Sequence, residues 1–347
     1  MRVLVATDTW RPHRNGVVHA FGQLARAAPS FGASFAFLTG EGFPSLPLPT
    51  YPDLRLAIAS PRAIARRIVE LRPAAIHIAT EGPIGLLVRR YCVKNGLAFT
   101  TSFHTRFPEY VAARTQIPVS WTWAALRWFH GAGAGVMAAT PALEAELAGR
   151  GFSNVIGWPR GVEAALFRPR PGADLGLPRP IFLTVGRLAV EKNTDAFLAL
   201  DLPGTKVVVG DGPARVDLTR RFPDALFLGA VPDEYLAYIY AAADVFVFPS
   251  RTDTYGLVLL EALASGVPVA AFPVSGPRDV IGDAPVAALD EDLRSACLRA
   301  LTLPREECRA FAQDKTWEAS TRAFLANVRH VAGRAPMVAG EGHKGMA

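Results

Sequence analysis

Four charged residues in the second half of the chain stand where they can do chemistry together. In "VGRLAVEKN", Arg187 directly follows a run of strand character, and Lys192 comes five residues later, at the start of the next helical pattern. Two cations so placed can meet one diphosphate, because both bind phosphate oxygens through charge-assisted hydrogen bonds. In "PSRTDTYGLVLLEALASGVPV", Asp253 precedes a helical run and Glu261 lies eight residues on, inside it. At about 100° per residue, that spacing leaves the two carboxylates about 80° apart, so both can border one ligand. The neighbours of Glu261 from Leu257 to Ala264 are apolar. A carboxylate is costly to bury there alone, so it calls for a polar ligand or a cation. The plainer readings are a capping role for Asp253, worth about 1 kcal/mol, and solvated surface charge for Arg187 and Lys192.

The surrounding backbone adds donors. A strand ending at about Ser250 and a helix entered at about Gly256 leave the N–H groups of Thr254, Tyr255, Gly256 and Leu257 pointing at a cleft. Gly186 precedes Arg187, and "VVVGDGP" sets Gly210, Asp211 and Gly212 after another strand. Small residues there let backbone approach a ligand, although strand-to-turn glycines are common without one. In the first half, "TDTWRPHRNGVVHAF" places Gly16 before a helix starting at about Val17; this is either an anion site at a helix start or a plain turn. "AFTTSFHTRFPEY" leaves His104 at a strand end, where a lone histidine is more often structural than functional. No GxGxxG follows a first strand, so a nicotinamide dehydrogenase lacks its main support.

These loops need elements to hold them. Apolar runs of strand length alternate with helical segments in both halves: 2–8, 34–39, 75–80, 98–104 and 135–140, then 180–187, 205–212, 225–230, 244–250 and 267–273. Such runs, with helices at 83–94 and 256–265 between them, predict two parallel α/β sheets, with ligands bound beyond the carboxyl ends of the strands. The Pro-, Arg- and Gly-rich segment 157–180 reads as a linker. The expected division is 1–162 and 163–314 as two Rossmann-like domains, a helix at 315–330, and a disordered tail at 331–347.

Composition narrows the class. Half of the 347 residues are apolar, too much core for one ordinary domain. Cys92, Cys297 and Cys308 form no CxxC or Cys/His cluster, so neither disulfides nor a metal site is expected, and a reducing cytoplasm fits best. "MRVLVATD" reads as a strand rather than a signal peptide. The longest apolar stretch is interrupted by Glu261, Ser265, Gly266 and Pro268, which argues against a membrane span. Residues 1–162 carry 17 Lys+Arg against 8 Asp+Glu, and 163–347 carry 20 against 23. The basic half suits an acidic partner, whether nucleotide phosphate, anionic lipid or nucleic acid; its scattered cations form no nucleic-acid stripe. In "SWTWAALRWFHG", Trp121, Trp123, Trp128 and Phe129 interleave with Arg127, as an interfacial segment or as core.

Taken together, "PSRTDTYGLVLLEALASGVPV", "VGRLAVEKN", "VVGDGP", "NGVV", "IHIATEGPIG", "SFHTRFPEY" and "RGVEAALFRP" resemble the retaining, nucleotide-sugar-dependent glycosyltransferases of family four. The likeness is greatest to their bacterial glycolipid-forming and mannosyl-transferring members. The resemblance implies a GT-B fold, with two Rossmann-like domains facing each other across a cleft. It gives Arg187 and Lys192 the donor's diphosphate, assisted by backbone at Tyr255, Gly256 and Leu257, and gives Glu261 the ribose hydroxyls. Asp253 would contact the transferred sugar, with His104 near that sugar and Gly16 by the diphosphate; Asp253 as a covalent nucleophile is the alternative. Most members have Glu where this chain has Asp253, a hint about the subgroup. The implied reaction moves a sugar from a UDP-sugar to a lipid such as diacylglycerol or a glycolipid, with no metal or other cofactor required. The enzyme would be cytoplasmic, peripheral at the membrane through its basic half. The runner-up is a GDP-mannose-dependent α-mannosyltransferase; outside the class stand a nucleotide-sugar epimerase and a noncatalytic nucleotide-sugar sensor. "TWEASTRAFLANV" (316–328), with Trp317, Phe324 and Val328 on one face, would cross back onto the first domain.

Overall fold

A computed structural model describes residues 1–10, 16–48, 51–104, 118–253 and 255–333. The expected tail lies outside these residues, apart from its first three positions. The strands are β1 Arg2–Ala6, β2 Ser34–Leu38, β3 Ser45–Leu48, β4 Tyr51–Ala57, β5 Ala75–Ile78, β6 Thr100–Ser102, β7 Gly135–Ala138 and β8 Val155–Gly157 in the first half. The second half holds β9 Ile181–Val185, β10 Thr205–Val209, β11 Leu226–Gly229, β12 Val245–Phe248, β13 Val269–Ala271 and β14 Ala287–Leu289. Two six-stranded sheets form, in the orders β2-β1-β5-β6-β7-β8 and β11-β10-β9-β12-β13-β14. Every pairing within them is parallel. β3 and β4 make a separate antiparallel hairpin.

Burial on both faces explains the unbroken apolar runs. In β9, Ile181 and Leu183 enter one core while Phe182 enters another on the opposite face. β1 divides in the same way, with Val3 and Val5 on one side and Leu4 and Ala6 on the other. In each sheet the chain builds outward in one direction and then restarts on the other side, between β1 and β5 and between β9 and β12. Crevices open at such switch points. The loop after β9 carries Arg187 and Lys192, and the loop after β12 carries Asp253.

Two chain crossings join the halves and lie side by side. Val162 donates its backbone N–H to the Lys315 carbonyl at 2.8 Å, and a parallel bridge pairs Val162 with Thr316. A Cβ on Gly161 would lie 2.4 Å from the Thr316 carbonyl, so only glycine fits this approach. The helix Trp317–Ala332 begins with Thr316, whose hydroxyl accepts from the Ala319 N–H at 3.1 Å. It buries Trp317, Phe324, Leu325 and Val328 among Val3, Phe21 and Trp158 of the first half. The three cysteines are free and buried. Among the described residues, no helix is long and apolar enough to cross a membrane.

Candidate functional site

The loop after β9 and the loop after β12 meet through their charges. Lys192 Nζ donates to Asp253 Oδ1 at 2.5 Å. The cation and carboxylate expected to serve phosphate and sugar separately are therefore paired with each other. The second carboxylate oxygen of Asp253 is buried and accepts no hydrogen bond from the described residues, a cost that a hydroxyl donor from a ligand would relieve. Asp253 is not a helix cap: the following helix, Leu257–Ala264, has Gly256 at its N-cap and no side-chain cap. Asp253 and Glu261 therefore do not share one helix, and their angular relation on a helix does not apply. Asn193 fixes the first loop to the second by donating from Nδ2 to the Pro249 carbonyl at 3.0 Å. Arg187 stands exposed in the same loop.

Gly256 permits the sharp entry into the Leu257–Ala264 helix. Its φ is 77°, and a Cβ there would sit 3.0 Å from Phe248 Cζ. Glu261 lies on that helix and accepts from the Tyr240 hydroxyl at 3.1 Å. Burial pushes the Glu261 carboxyl up to about 7; the Tyr240 hydrogen bond opposes the rise and the Asp233 charge adds to it. Burial, then the neighbouring Glu261, holds the Tyr240 phenol well above its ordinary value. The sequence reading missed Tyr240, which sits on the apolar helix Asp233–Ala242 with no polar periodicity to mark it.

The first half supplies the opposite wall. Gly16 begins the helix Gly16–Ala27, and a Cβ on it would lie 3.9 Å from Leu257 Cδ1. The first turns of two helices thus face each other, one from each half, each with the positive end of its helix dipole toward the other. His104 is half-buried behind this line. Its Nε2 lies 2.6 Å from Ser102 Oγ, and its Nδ1 lies 3.2 Å from Arg160 Nη2. Burial, then the Arg160 charge, holds the His104 imidazole well below its ordinary range, so it is neutral. Arg160 was absent from the sequence-predicted set; only the "PRGVE" motif within the presumed linker marked it.

The remaining predicted positions serve the loops more directly than a cavity. Gly210 has φ 130°, and a Cβ there would come 1.9 Å from the Gly186 carbonyl; at Gly212 a Cβ would be 2.3 Å from the Leu188 carbonyl. These glycines let the loops after β9 and β10 press together. Asp211 accepts from the Gly212 N–H at 2.8 Å and from Arg215 at 3.0 Å on an exposed surface. Tyr255 lies between the halves. Burial pushes its phenol up to about 12, and the Arg160 charge and backbone N–H pull the other way. Among the described residues, no three His, Cys, Asp or Glu side chains gather as a metal site.

Comparison with known proteins agrees with this architecture. Residues 179–303 match the family model described as Glycosyl transferases group 1, and residues 11–166 match Glycosyltransferase Family 4. The chain is 32% identical over 313 residues to the GDP-mannose-dependent alpha-mannosyltransferase of Mycolicibacterium smegmatis, covering 81% of this chain and 82% of that protein. It is 27% identical over 370 residues to the alpha-monoglucosyldiacylglycerol synthase of Streptococcus pneumoniae, covering 93% and 83%. It is 32% identical over 261 residues to the sulfoquinovosyl transferase SQD2 of Arabidopsis thaliana; that match covers 69% of this chain and spans half, 50%, of that protein. Among solved structures, the sucrose-phosphate synthase of Thermosynechococcus elongatus superposes with a TM-score of 0.80 at 21% identity, over 96% of this chain and 99% of that one. With two parallel six-stranded sheets and these relatives, the chain belongs to the group 1, family four glycosyltransferases of GT-B fold.

Proposed function

We propose that this chain is a retaining glycosyltransferase that takes a sugar from a UDP-sugar and places it on a lipid hydroxyl, diacylglycerol or a glycolipid, at the cytoplasmic membrane face. The observation that carries the reading is the Lys192–Asp253 pair at 2.5 Å, set beside the first turn of the Leu257–Ala264 helix and opposite the first turn at Gly16. A diphosphate entering there takes Lys192 and Arg187 together with helix N–H groups. Asp253, released from Lys192, accepts from hydroxyls of the transferred sugar. Glu261 accepts from the ribose hydroxyls. The acceptor oxygen bonds to the anomeric carbon on the face the diphosphate leaves. As the carbon–oxygen bond to phosphate breaks, the acceptor's proton passes to the departing phosphate oxygen. The cations answer the charge that develops, without a required metal.

The acceptor reading rests on the helix Val119–Gly131. It exposes Trp121 at 71% and Trp128 at 59% while burying Trp123 and Phe129, the division expected of a helix that meets a membrane interface. The surplus of cations in residues 1–162 favours an anionic surface. A GDP-mannose donor is the second reading, supported by the mannosyltransferase relative that this chain matches across most of both lengths. A donor screen decides between them. Nucleotide diphosphate release is followed with UDP-glucose, UDP-galactose, UDP-glucuronate and GDP-mannose, with and without vesicles containing diacylglycerol. Vesicle-dependent release from a UDP-sugar, lost in Glu261→Ala and Lys192→Ala, supports the first reading. Release from GDP-mannose alone replaces it with the second. Turnover without any acceptor would point to an epimerase, and binding without turnover to a sensor.

A further inference from the structure

Arg160 is a buried cation that has no counter-ion among the described residues. It is 6% exposed, and among the described residues no carboxylate lies within ion-pair reach of it. Its guanidinium lies over the Trp158 ring at 3.7 Å, Nη1 donates to the Trp158 carbonyl at 3.3 Å, and Nη2 donates to His104 Nδ1 at 3.2 Å. Because guanidinium has no acceptor, His104 Nδ1 must be the unprotonated nitrogen, so His104 Nε2–H donates to Ser102 Oγ at 2.6 Å. Ser102 Oγ is hydrogen-bonded in turn to His77 Nε2 at 3.1 Å, and His77 Nδ1 to Thr100 Oγ1 at 2.8 Å. The chain is neutral from His104 inward and ends on a buried strand residue. It holds Arg160 in place and offers nothing to balance its charge.

We infer that Arg160 is a substrate-binding residue, which takes an anionic oxygen group of the donor: the β-phosphate, or an acidic substituent, carboxylate or sulfonate, on the transferred sugar. The proposal rests on the donor-cleft reading above. Arg160 stands between His104 of the first half and Tyr255 of the second, where its charge acts on the Tyr255 phenol, so an anion in the cleft is the partner within its reach. Burial lowers its pKa to about 10, the direction expected of a cation whose hydration has been removed without an anion in exchange. With two of five donors committed to protein, the fork retains donors for a planar or tetrahedral oxyanion.

Calorimetric titration of the full chain with UDP, UMP, UDP-glucose and UDP-glucuronate separates the two sources. If the β-phosphate is the partner, Arg160→Gln binds UDP at least tenfold more weakly and UMP as the wild type does. If a sugar acid is the partner, the wild type prefers UDP-glucuronate to UDP-glucose and the variant loses that preference. Unchanged affinity for all four ligands overturns the proposal. Should Arg160→Gln fail to fold by circular dichroism, Arg160→Lys carries the test: it keeps the charge without the fork, so several-fold weaker binding is expected and wild-type affinity overturns the inference. Glu261→Ala tests the underlying reading separately. If the wild type binds neither UDP nor GDP, or Glu261→Ala leaves binding unchanged, the donor-cleft reading falls on its own account.

Discussion

Lys192 Nζ and Asp253 Oδ1 are 2.5 Å apart across two loops that approach from neighbouring strands, so each neutralises the group that the other would offer a donor. On the proposed donor reading, a diphosphate would take Lys192 from Asp253 and free the carboxylate for the sugar. Removing Asp253 charge without changing its size should leave Lys192 more available. Asp253→Asn is therefore expected to bind UDP or GDP as tightly as the wild type or several-fold more tightly. Its turnover should fall about 100-fold or more, the loss of an interaction made at the reacting sugar. Lys192→Ala should weaken nucleotide diphosphate binding by about tenfold or more, since a charge-assisted contact to phosphate is lost. Equal loss of binding in both variants would contradict this division of roles.

Glu261 gives the site a pH dependence. Its carboxyl is raised from an ordinary 4.5 to about 7 by burial, so near neutrality it is divided between acid and carboxylate. Ribose hydroxyls donate best to the carboxylate. Nucleotide affinity should therefore fall as pH drops from 8 to 6, by at most about tenfold per pH unit, and binding at pH 7 should release a proton. The sign for stability is the reverse. A raised folded-state pKa stabilises the unliganded fold below the unfolded value, and that contribution is lost as pH rises through 7. Glu261→Gln should flatten both profiles. Calorimetry in buffers of different ionisation enthalpy measures the proton, and wild-type affinity independent of pH would exclude the carboxylate from the site.

The parallel sheets were legible because strands buried on both faces are written almost entirely in apolar residues. The runs at 180–187 and 244–250 contain β9 and β12. The strands that escaped are short or interrupted. β8 and β14 are three-residue edge strands, and the β3–β4 hairpin carries Pro47 and Pro52. At the site, the local spacing marked Lys192 and Asp253 as chemistry but not as each other's partner, because their meeting depends on strand order. Arg160 lay hidden in a stretch that reads as linker, and its contact with His104 spans 56 residues. Tyr240 reaches Glu261 across 21 residues from an apolar helix. Such pairings are properties of the assembled sheets and have no local signature.

Gly210 and Gly161 are places where a single methyl group should be intolerable. An added Cβ at Gly210 meets the Gly186 carbonyl at 1.9 Å, in backbone with φ 130°. One at Gly161 meets the Thr316 carbonyl at 2.4 Å, where the two interdomain crossings touch. Both partners are backbone and cannot rotate away. Gly210→Ala should separate the loops after β9 and β10, destabilise the fold by about 3 kcal/mol or more, and weaken nucleotide binding. Gly161→Ala should have a comparable cost with its damage centred on the crossing. Thermal melts read the first effect. Gly22→Ala, where a Cβ meets nothing within 4 Å, serves as the control that should stay within about 1 kcal/mol of the wild type.

The Val119–Gly131 helix offers a test in which packing and membrane contact separate on one element. Trp123 is 3% exposed, stacked with Phe103 and covered by the Arg150 guanidinium at 4.0 Å. Its loss should cost about 3–5 kcal/mol of stability. Trp121 is 71% exposed and Trp128 59%, the latter beneath the Arg89 guanidinium at 3.8 Å. Arg89 in turn donates to the Trp128 and Phe129 carbonyls at 2.7 and 2.9 Å, fixing the end of the helix. Replacing Trp121 and Trp128 together with Ala should leave melting nearly unchanged, because little buried area is removed. It should lower co-sedimentation with vesicles containing anionic lipid by several-fold, and the loss should be smaller at low ionic strength, where the unchanged basic surface contributes most. Unchanged vesicle binding in a folded double variant would leave the exposed tryptophans without a membrane role.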